Sequence, residues 1–384
     1  MQKVTMEDLG KIYTLSEVSY SPDGTAAAFV VSQAQVKENK YTSSIWVLEN
    51  GVPRKLTSGG AESSYLWLDE ESLLFPGDRK KSHKPEPGQA CTVYNRIDIH
   101  GGEAEELFTI PMKVKSIRKI SSHEFLIIGL YQHNAIEVTG LEGKEREDAI
   151  ERLEEEKDYE VFDELPFWAN GKGVVNKQRS RLYLYDSDNG ECRLLSPEFM
   201  NVSSFDYDRE NDRVLYYGHD YQWMDDQKDD MFVCGVHSGK SVEIGLQHRY
   251  GVSGAAFLGD KVVFAASTRE KYGSSENPVF FLADPRTGEV TELADLDPSM
   301  YSSVGSDCRY GGGRSHKATE SGWYYTETRG FNSYIVRLDR AGKETVVSPQ
   351  IDGSVDCFDY FEGNFLYVGM RENGLQELYT CREG

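Results

Sequence analysis

Short apolar strands alternate with polar turns along nearly the whole chain. A typical hairpin begins with the apolar segment Arg181–Asp186, turns at Asn189-Gly190, and continues as a second, mixed strand. The glycine at the second turn position supplies the positive φ that a two-residue hairpin needs. The same arrangement recurs at Asn50-Gly51, Gly101-Gly102, Ser238-Gly239, Thr287-Gly288 and Ala341-Gly342, and Glu383-Gly384 ends the chain.

These turns recur at a nearly constant interval, which is the sequence signature of a repeat architecture. The turn glycines lie about fifty residues apart, except for one interval of 88 residues between Gly102 and Gly190. Each repeat also carries an earlier hairpin, such as YSPDGTAAAFVV in the first repeat and DYFEGNFLYVG in the last. Two hairpins give four strands, which make one blade of a β-propeller. A β-sandwich would not repeat at this interval, and the coils of a β-helix are much shorter.

Seven repeats predict an all-β fold, a seven-bladed β-propeller with one helical insertion in its third blade. Strands such as Leu182–Tyr185 are apolar on both faces, as expected for a blade packed between two others. An N-terminal segment is predicted at residues 1–17, followed by the propeller at residues 18–384. The predicted blades span residues 18–57, 64–109, 114–196, 202–245, 252–294, 302–348 and 354–384.

The insertion accounts for the long interval in the third repeat. Its segment Leu141–Glu160 lacks proline and is rich in helix formers, which predicts a helix. Ala149, Ile150 and Leu153 are its apolar positions, so the helix is expected to dock lightly and remain largely solvated. The alternative is a lid or docking element over one face of the ring.

Composition and charge narrow the function classes. The chain has 384 residues with 42 Lys and Arg against 64 Asp and Glu, so its net charge is −22. Such a surface repels phosphate backbones and disfavours nucleic-acid binding. The N-terminus has no apolar signal sequence, and runs such as FLIIGLY are too short to span a bilayer, so no membrane association is expected. No two of the six cysteines are close enough in sequence to form a Cys-x-x-Cys pair. This favours a cytoplasmic location with reduced thiols, although three disulfides stay open as an alternative.

No motif in the sequence points to a metal or an organic cofactor. There is no His-Glu-x-x-His and no close Cys or His pair, so we expect neither metal nor cofactor. The dense acidic stretch Asp225–Asp230 lacks the spacing and glycine of a calcium loop, and we interpret it as a solvated loop.

Three segments resemble a known family of enzymes. MEDLGKIYTLSEVSYSPDG (Met6–Gly24), LLFPGDRKK (Leu73–Lys81) and DELPFWANGKGVVNKQRSRLYLYD (Asp163–Asp186) are similar to segments of prolyl oligopeptidase-family serine peptidases. The acylaminoacyl-peptidase-like branch is the most similar. The last of the three segments is the most specific, because SPDG alone occurs in many propellers.

The resemblance implies a second domain. In that family an α/β-hydrolase domain with a Ser-Asp-His triad follows the propeller, which limits access to peptides of modest size. This sequence has no complete Gly-x-Ser-x-Gly nucleophile elbow, the nearest being Gly251–Ala255, and no βαβ pattern. We therefore expect the chain to be a non-catalytic, substrate-gating fragment of an intracellular peptidase. Its expected partners are the missing hydrolase domain and a peptide substrate, and a homo-oligomer stays open.

Five residues are the candidates for substrate binding or domain docking. Phe167, Trp168 and Asn170 are expected at or near the face that meets the missing domain, next to an exposed apolar patch. Glu155 and Glu156 resemble the paired glutamates with which related dipeptidyl peptidases hold a free amine. Two other functions stay open: a stand-alone propeller of the Tol type that binds protein or small molecules, and a propeller polysaccharide lyase.

The last blade is predicted to be incomplete. Its strands are expected at about Val355–Tyr360, Phe365–Met370 and Leu375–Cys381, and Gly384 lies at the turn before a fourth strand. An open strand edge is a pairing hazard. We expect this edge to be bare or to pair with another copy, rather than to pair with Met6–Ser16.

Overall fold

Seven antiparallel sheets form a ring in the computed structural model of the chain. The structure describes residues 3, 5–79, 83–305, 309–349, 352–372 and 374–383. Cys308, Gly384 and the end of the Leu73–Lys81 segment lie outside the described residues. The predicted seven-bladed β-propeller is confirmed.

Six blades have four strands each, in an antiparallel meander. The first blade contains β1 (Tyr13–Tyr20), β2 (Ala26–Gln35), β3 (Lys40–Glu49) and β4 (Val52–Lys55). The second contains β5 (Leu66–Trp67), β6 (Ser72–Pro76), β7 (Thr92–Asp98) and β8 (Glu105–Ile110). The third contains β9 (Val114–Lys119), β10 (Glu124–Gln132), β13 (Gln178–Asp186) and β14 (Cys192–Leu194), with α1 (Gly143–Glu155) and the small hairpin β11 (Trp168–Ala169) and β12 (Gly173–Val174) inserted.

The remaining blades follow without large insertions. The fourth contains β15 (Met200–Asp208), β16 (Arg213–Asp220), β17 (Asp230–Gly235) and β18 (Ser241–Ile244). The fifth contains β19 (Gly251–Leu258), β20 (Lys261–Ser267), β21 (Val279–Ala283) and β22 (Val290–Ala294). The sixth contains β23 (His316–Thr319), β24 (Gly322–Arg329), β25 (Asn332–Leu338) and β26 (Glu344–Val346), and the seventh contains β27 (Gly353–Phe361), β28 (Asn364–Arg371) and β29 (Glu377–Arg382). Short 3₁₀ helices lie at Met6–Lys11, Val36–Glu38, Glu156–Asp158 and Gly273–Ser275.

The core is divided into clusters between consecutive blades. Val30 and Ile45 of the first blade pack with Phe75 of the second, and an equivalent cluster joins each following pair. The ring is closed in the same way, because Phe29 of the first blade packs with Val368 of the seventh. Burial on both faces explains why the second and third strands are apolar without alternation.

The seventh blade has three strands, as the sequence predicts. Among the described residues, β29 pairs with β28 alone, and Met6–Lys11 forms a 3₁₀ helix. The first strand begins at Tyr13, inside the residues 1–17 that were expected to precede the propeller. Side chains of the seventh blade join it to the first blade. Gln376 Oε1 accepts a hydrogen bond from the Leu15 amide at 2.9 Å, and Asp359 Oδ2 accepts one from the Tyr20 amide at 2.9 Å.

The helical insertion leaves the third blade between its second and third strands. Helix α1 is mostly exposed: Ala149 is buried, Arg146, Ile150 and Leu153 are half-buried, and Leu153 packs beside Gly88. Light docking of this helix is therefore confirmed. No helix in the described part of the chain is both long and apolar enough to cross a membrane.

Candidate docking surface

The two faces of the ring differ in their exposed apolar side chains. Because every blade is a meander that starts at the central channel, the connections between second and third strands all emerge on one face, here called the insertion face. Large exposed apolar side chains in these connections include Val36, Tyr272 and Phe331. Among the described residues away from this face, Val52, Leu107 and Leu194 are exposed on outer fourth strands.

The largest group of these side chains lies on and beside the insertion. The residues are between 38% and 67% exposed, and we call them the insertion patch. They are Tyr159, Val161, Phe162, Leu165, Phe167 and Trp168 of the insertion, and Trp223 and Met224 of the loop between β16 and β17. An exposed apolar patch of this kind marks an interaction surface.

Backbone hydrogen bonds join the two parts of the patch. The Leu165 amide donates to the Trp223 carbonyl at 2.8 Å, and the Asp225 amide donates to the Leu165 carbonyl at 2.9 Å. The rings of Phe162 and Phe167 stack with centroids 4.7 Å apart. The insertion is therefore attached to the fourth blade as well as to the third.

A buried ion pair supports the patch from below. Glu164 lies between exposed neighbours, yet its side chain is fully buried against Arg179 of β13. The guanidinium donates Nη1–H to Oε1 at 3.1 Å and Nη2–H to Oε2 at 2.8 Å. It also donates to the carbonyls of Phe199 and Tyr221, both at 3.0 Å, so its charge and hydrogen-bonding groups are satisfied.

A second cation holds the Trp223 ring. Lys177 Nζ lies 4.4 Å from the centre of that ring and 3.0 Å from Asp163 Oδ1. An ammonium over an indole is attracted by the negative face of the ring. The loop between β16 and β17 is thus fixed to the insertion by side chains as well as by backbone.

Two histidines hold the other end of this loop. His219 Nδ1 lies 2.9 Å from Asp225 Oδ2, and His248 Nε2 lies 2.9 Å from Asp226 Oδ2. Burial alone would lower the pKa of His219, but the hydrogen bond to Asp225 and the charges of Asp229 and Asp225 outweigh it and raise the pKa. Burial would also lower the pKa of His248, and Asp230 and Asp226 raise it. The predicted solvated loop is found in part: Asp226 is exposed, whereas Asp229 is buried and accepts a hydrogen bond from the Val252 amide at 2.7 Å.

The candidate residues divide into two groups. Phe167 and Trp168 are exposed within the insertion patch, and Asn170 is exposed in the turn between β11 and β12. Glu155 is exposed at the end of α1, while Glu156 Oε1 lies 3.5 Å from Arg152 Nη2. No hydrogen bond or ion pair among the described residues joins these two glutamates to the patch, and their role in amine binding stays a prediction.

Sequence reasoning missed the contribution of the fourth blade and the buried pair. Trp223 and Met224 interrupt an otherwise polar stretch, YQWMDDQKDD, which is the signal that could have identified them. Glu164 and Arg179 carried no such signal, since charged residues in a loop and on a strand are ordinarily solvated.

One group of potential metal ligands occurs in the described part of the chain. Ligand atoms of His123, Asp186 and Asp188 lie within 4.8 Å of one another. Asp186 already accepts hydrogen bonds from the Asp188 amide at 2.9 Å and from Asn189 at 3.1 Å. These bonds belong to an ordinary hairpin turn.

Comparison by sequence gives one distant relative. The chain is 28% identical over 197 residues to the uncharacterized peptidase YuxL of Bacillus subtilis strain 168, which is 50% of this chain and 28% of that protein. No protein-family model matches the chain.

Comparison by structure gives peptidases. An acylaminoacyl peptidase of Pyrococcus horikoshii superposes with a TM-score of 0.67 at 16% identity, over 98% of this chain and 52% of that one. The propeller domain of the Trilobed protease of Pyrococcus furiosus, described as having an open velcro topology, superposes with a TM-score of 0.57 at 15% identity, over 97% and 93%. This chain thus spans about half the length of the acylaminoacyl peptidase. The resemblance predicted from the sequence is confirmed, and the chain has the fold of the propeller domains of acylaminoacyl and prolyl oligopeptidase-family peptidases.

Proposed function

We propose that this chain is the substrate-gating propeller of a serine oligopeptidase or acylaminoacyl peptidase. In this proposal an α/β-hydrolase domain covers the insertion face, and the ring restricts the peptides that reach the active site. The propeller itself holds no nucleophile elbow and does not catalyse hydrolysis. The five described cysteines are free thiols, which supports a cytoplasmic location for the whole enzyme.

The observation that carries this proposal is the concentration of exposed aromatic side chains on one face. Phe167, Trp168 and Trp223 remain exposed although Glu164 and Arg179 hold their backbone segments firmly. Burying such rings is the main energetic gain when two domains dock. A stand-alone propeller of the Tol type is not favoured, because this chain superposes on about half of each of two acylaminoacyl peptidase chains.

Co-expression tests this docking. The chain and the polypeptide encoded directly after residue 384 would be produced as separate proteins, and their association measured by size-exclusion chromatography and calorimetry. We expect a complex that the variant W168S/W223S weakens by at least about tenfold, because removing two central aromatic rings costs several kcal/mol.

The matched control is V52S, which removes an equally exposed apolar side chain from an outer strand. It should leave the affinity unchanged. A downstream region without a hydrolase domain, or equal affinities for all three propellers, would exclude the proposal.

A further inference from the structure

The central channel contains a second group of functional side chains. Two adjoining cavities of ≈ 940 and ≈ 520 Å³ lie along it, and both are lined by Glu17, Arg118, Arg314 and Lys317. Together the cavities touch the innermost strand, or the segment directly before it, in every blade. This channel is distinct from the insertion patch, which lies on outer connections.

Three of the four cations that line the channel contact carboxylates, and the fourth, Arg209, is exposed. Arg118 Nη1 lies 2.8 Å from Asp206 Oδ1. Arg314 and Lys317 both contact Asp359 Oδ1, at 2.8 and 2.7 Å. Arg314 and Lys317 share this one carboxylate, but the two cavities together are lined by six carboxylates and four Lys or Arg side chains, so the lining as a whole favours a cation over an anion.

Glu17 is different from the other charged side chains of the channel. Within the described residues its carboxylate makes no hydrogen bond and no ion pair. Burial raises the pKa of Glu17, and the charge of Arg314 opposes that rise. Burying a carboxylate that has no hydrogen-bonding or ionic partner costs free energy, and binding of a cation offsets that cost.

The backbone at Glu17 is held in an unfavourable conformation. Its φ is +53°, in the left-handed region that glutamate rarely adopts, within a bulge of β1 between Ser16 and Ser19. Two contacts impose this conformation: the Glu17 amide donates to the Gly312 carbonyl at 3.0 Å, and its carbonyl accepts a hydrogen bond from the Tyr65 hydroxyl. Strain of this kind concentrates at binding and active sites.

Aromatic side chains share the smaller cavity with Glu17. Tyr20, Tyr65, Trp67 and Tyr360 line it. A carboxylate among aromatic rings is a setting that attracts organic ammonium groups, through charge and through the ring faces. Calcium and magnesium ions need several oxygen ligands, and a single carboxylate does not supply them.

We propose that Glu17 and these aromatic side chains form a binding site for a primary ammonium group, that of the free amino terminus of a short peptide. The choice of a peptide rests on the proposed function, whereas the ammonium chemistry rests on the channel alone. The site would hold a peptide inside the propeller by its amino end.

Calorimetric titration of the isolated chain tests the site without any hydrolase domain, so a failure of the docking proposal does not affect the result. The probes are triglycine amide, N-acetyl-triglycine amide and n-butylamine. We expect saturable binding of triglycine amide and n-butylamine, and a loss of at least about tenfold in affinity on acetylation, because acetylation removes the ammonium charge.

Variants assign the binding to Glu17. E17Q should lose at least about tenfold in affinity for both amines while its far-ultraviolet circular dichroism stays unchanged. E210Q is the matched control, because Glu210 is an exposed carboxylate at the rim of the same channel and should bind like the wild type. Equal binding of the acetylated peptide, unchanged affinity in E17Q, or no saturable binding of either amine would overturn the proposal. Binding of n-butylamine without triglycine amide would overturn the assignment to peptides.

Discussion

Glu164 and Arg179 form a fully buried, bidentate ion pair that links the insertion to the third blade, with hydrogen bonds of 3.1 and 2.8 Å. Arg179 also reaches the Tyr221 carbonyl at the start of the loop that carries Trp223. One side chain therefore positions both parts of the insertion patch. This explains how a segment that is mostly exposed keeps a defined arrangement.

Removing the carboxylate of Glu164 should destabilise the protein strongly. In E164A the guanidinium of Arg179 is left buried without a counter-charge, and we expect a loss of about 3–5 kcal/mol in the free energy of unfolding. Chemical denaturation followed by tryptophan fluorescence measures it. E155A is the control and should change stability by less than about 0.5 kcal/mol, because Glu155 is exposed. Equal stability of the two variants would show that the pair does not support the insertion.

The loop that carries Trp223 should be more stable in mild acid than in mild base. Protonated His219 and His248 bind carboxylates of this loop, and both pKa values are raised in the folded state. Their contribution is thus fully present below the unfolded pKa of about 6.5 and is lost as the pH rises through the raised folded values. Hydrogen exchange of the Leu165 and Asp225 amides, corrected for intrinsic rates, should show more protection at pH 6 than at pH 8.5.

The double variant H219Q/H248Q provides the control for this pH effect. It keeps polar side chains at both positions but cannot gain charge, so the difference in protection should disappear. Greater protection of the wild type at pH 8.5 would contradict the assignment.

Asp359 should hold the seventh blade against its neighbours. It binds Arg314 and Lys317 of the sixth blade and its connection, and it accepts the Tyr20 amide of the first blade. D359N leaves two cations without a carboxylate, which should cost about 3 kcal/mol. The control is D260N, an exposed carboxylate at the channel rim.

Cys357 reports on this junction directly. It is buried between the first and seventh blades, and burial raises the pKa of its thiol to about 12, so it should react slowly with alkylating reagents. In D359N we expect faster alkylation of Cys357, identified by mass spectrometry, and no change in D260N. Equal rates in wild type and D359N would show that Asp359 does not close the ring.

The repeat pattern was sufficient to predict the ring, because each blade is specified by local hairpins and apolar strands. Turn glycines such as Gly190 and Gly239 mark the same hairpin in successive blades. The insertion and its exposed Phe167 and Trp168 were also predictable, since they interrupt the repeat with aromatic residues in a polar segment.

The rest depends on contacts between blades, which the order of residues does not reveal. Trp223 joins the patch through a hydrogen bond from Leu165, which belongs to another blade. The strain at Glu17 arises because Gly312 and Tyr65 hold its backbone from two other blades. The first strand begins at Tyr13 since its residues pair with β2 as far as Gln33, which the hairpin turn alone does not predict.

The central proposal is that a hydrolase domain covers the insertion face. The most direct test compares amide hydrogen exchange in this chain alone with that in the full-length parent protein. We predict that amides at residues 159–168 and 221–226 exchange more slowly in the parent protein than in the isolated chain, while those around Val52, Leu107 and Leu194 exchange equally in both. Protection at the outer strands instead, or no difference at the insertion patch, would contradict the account.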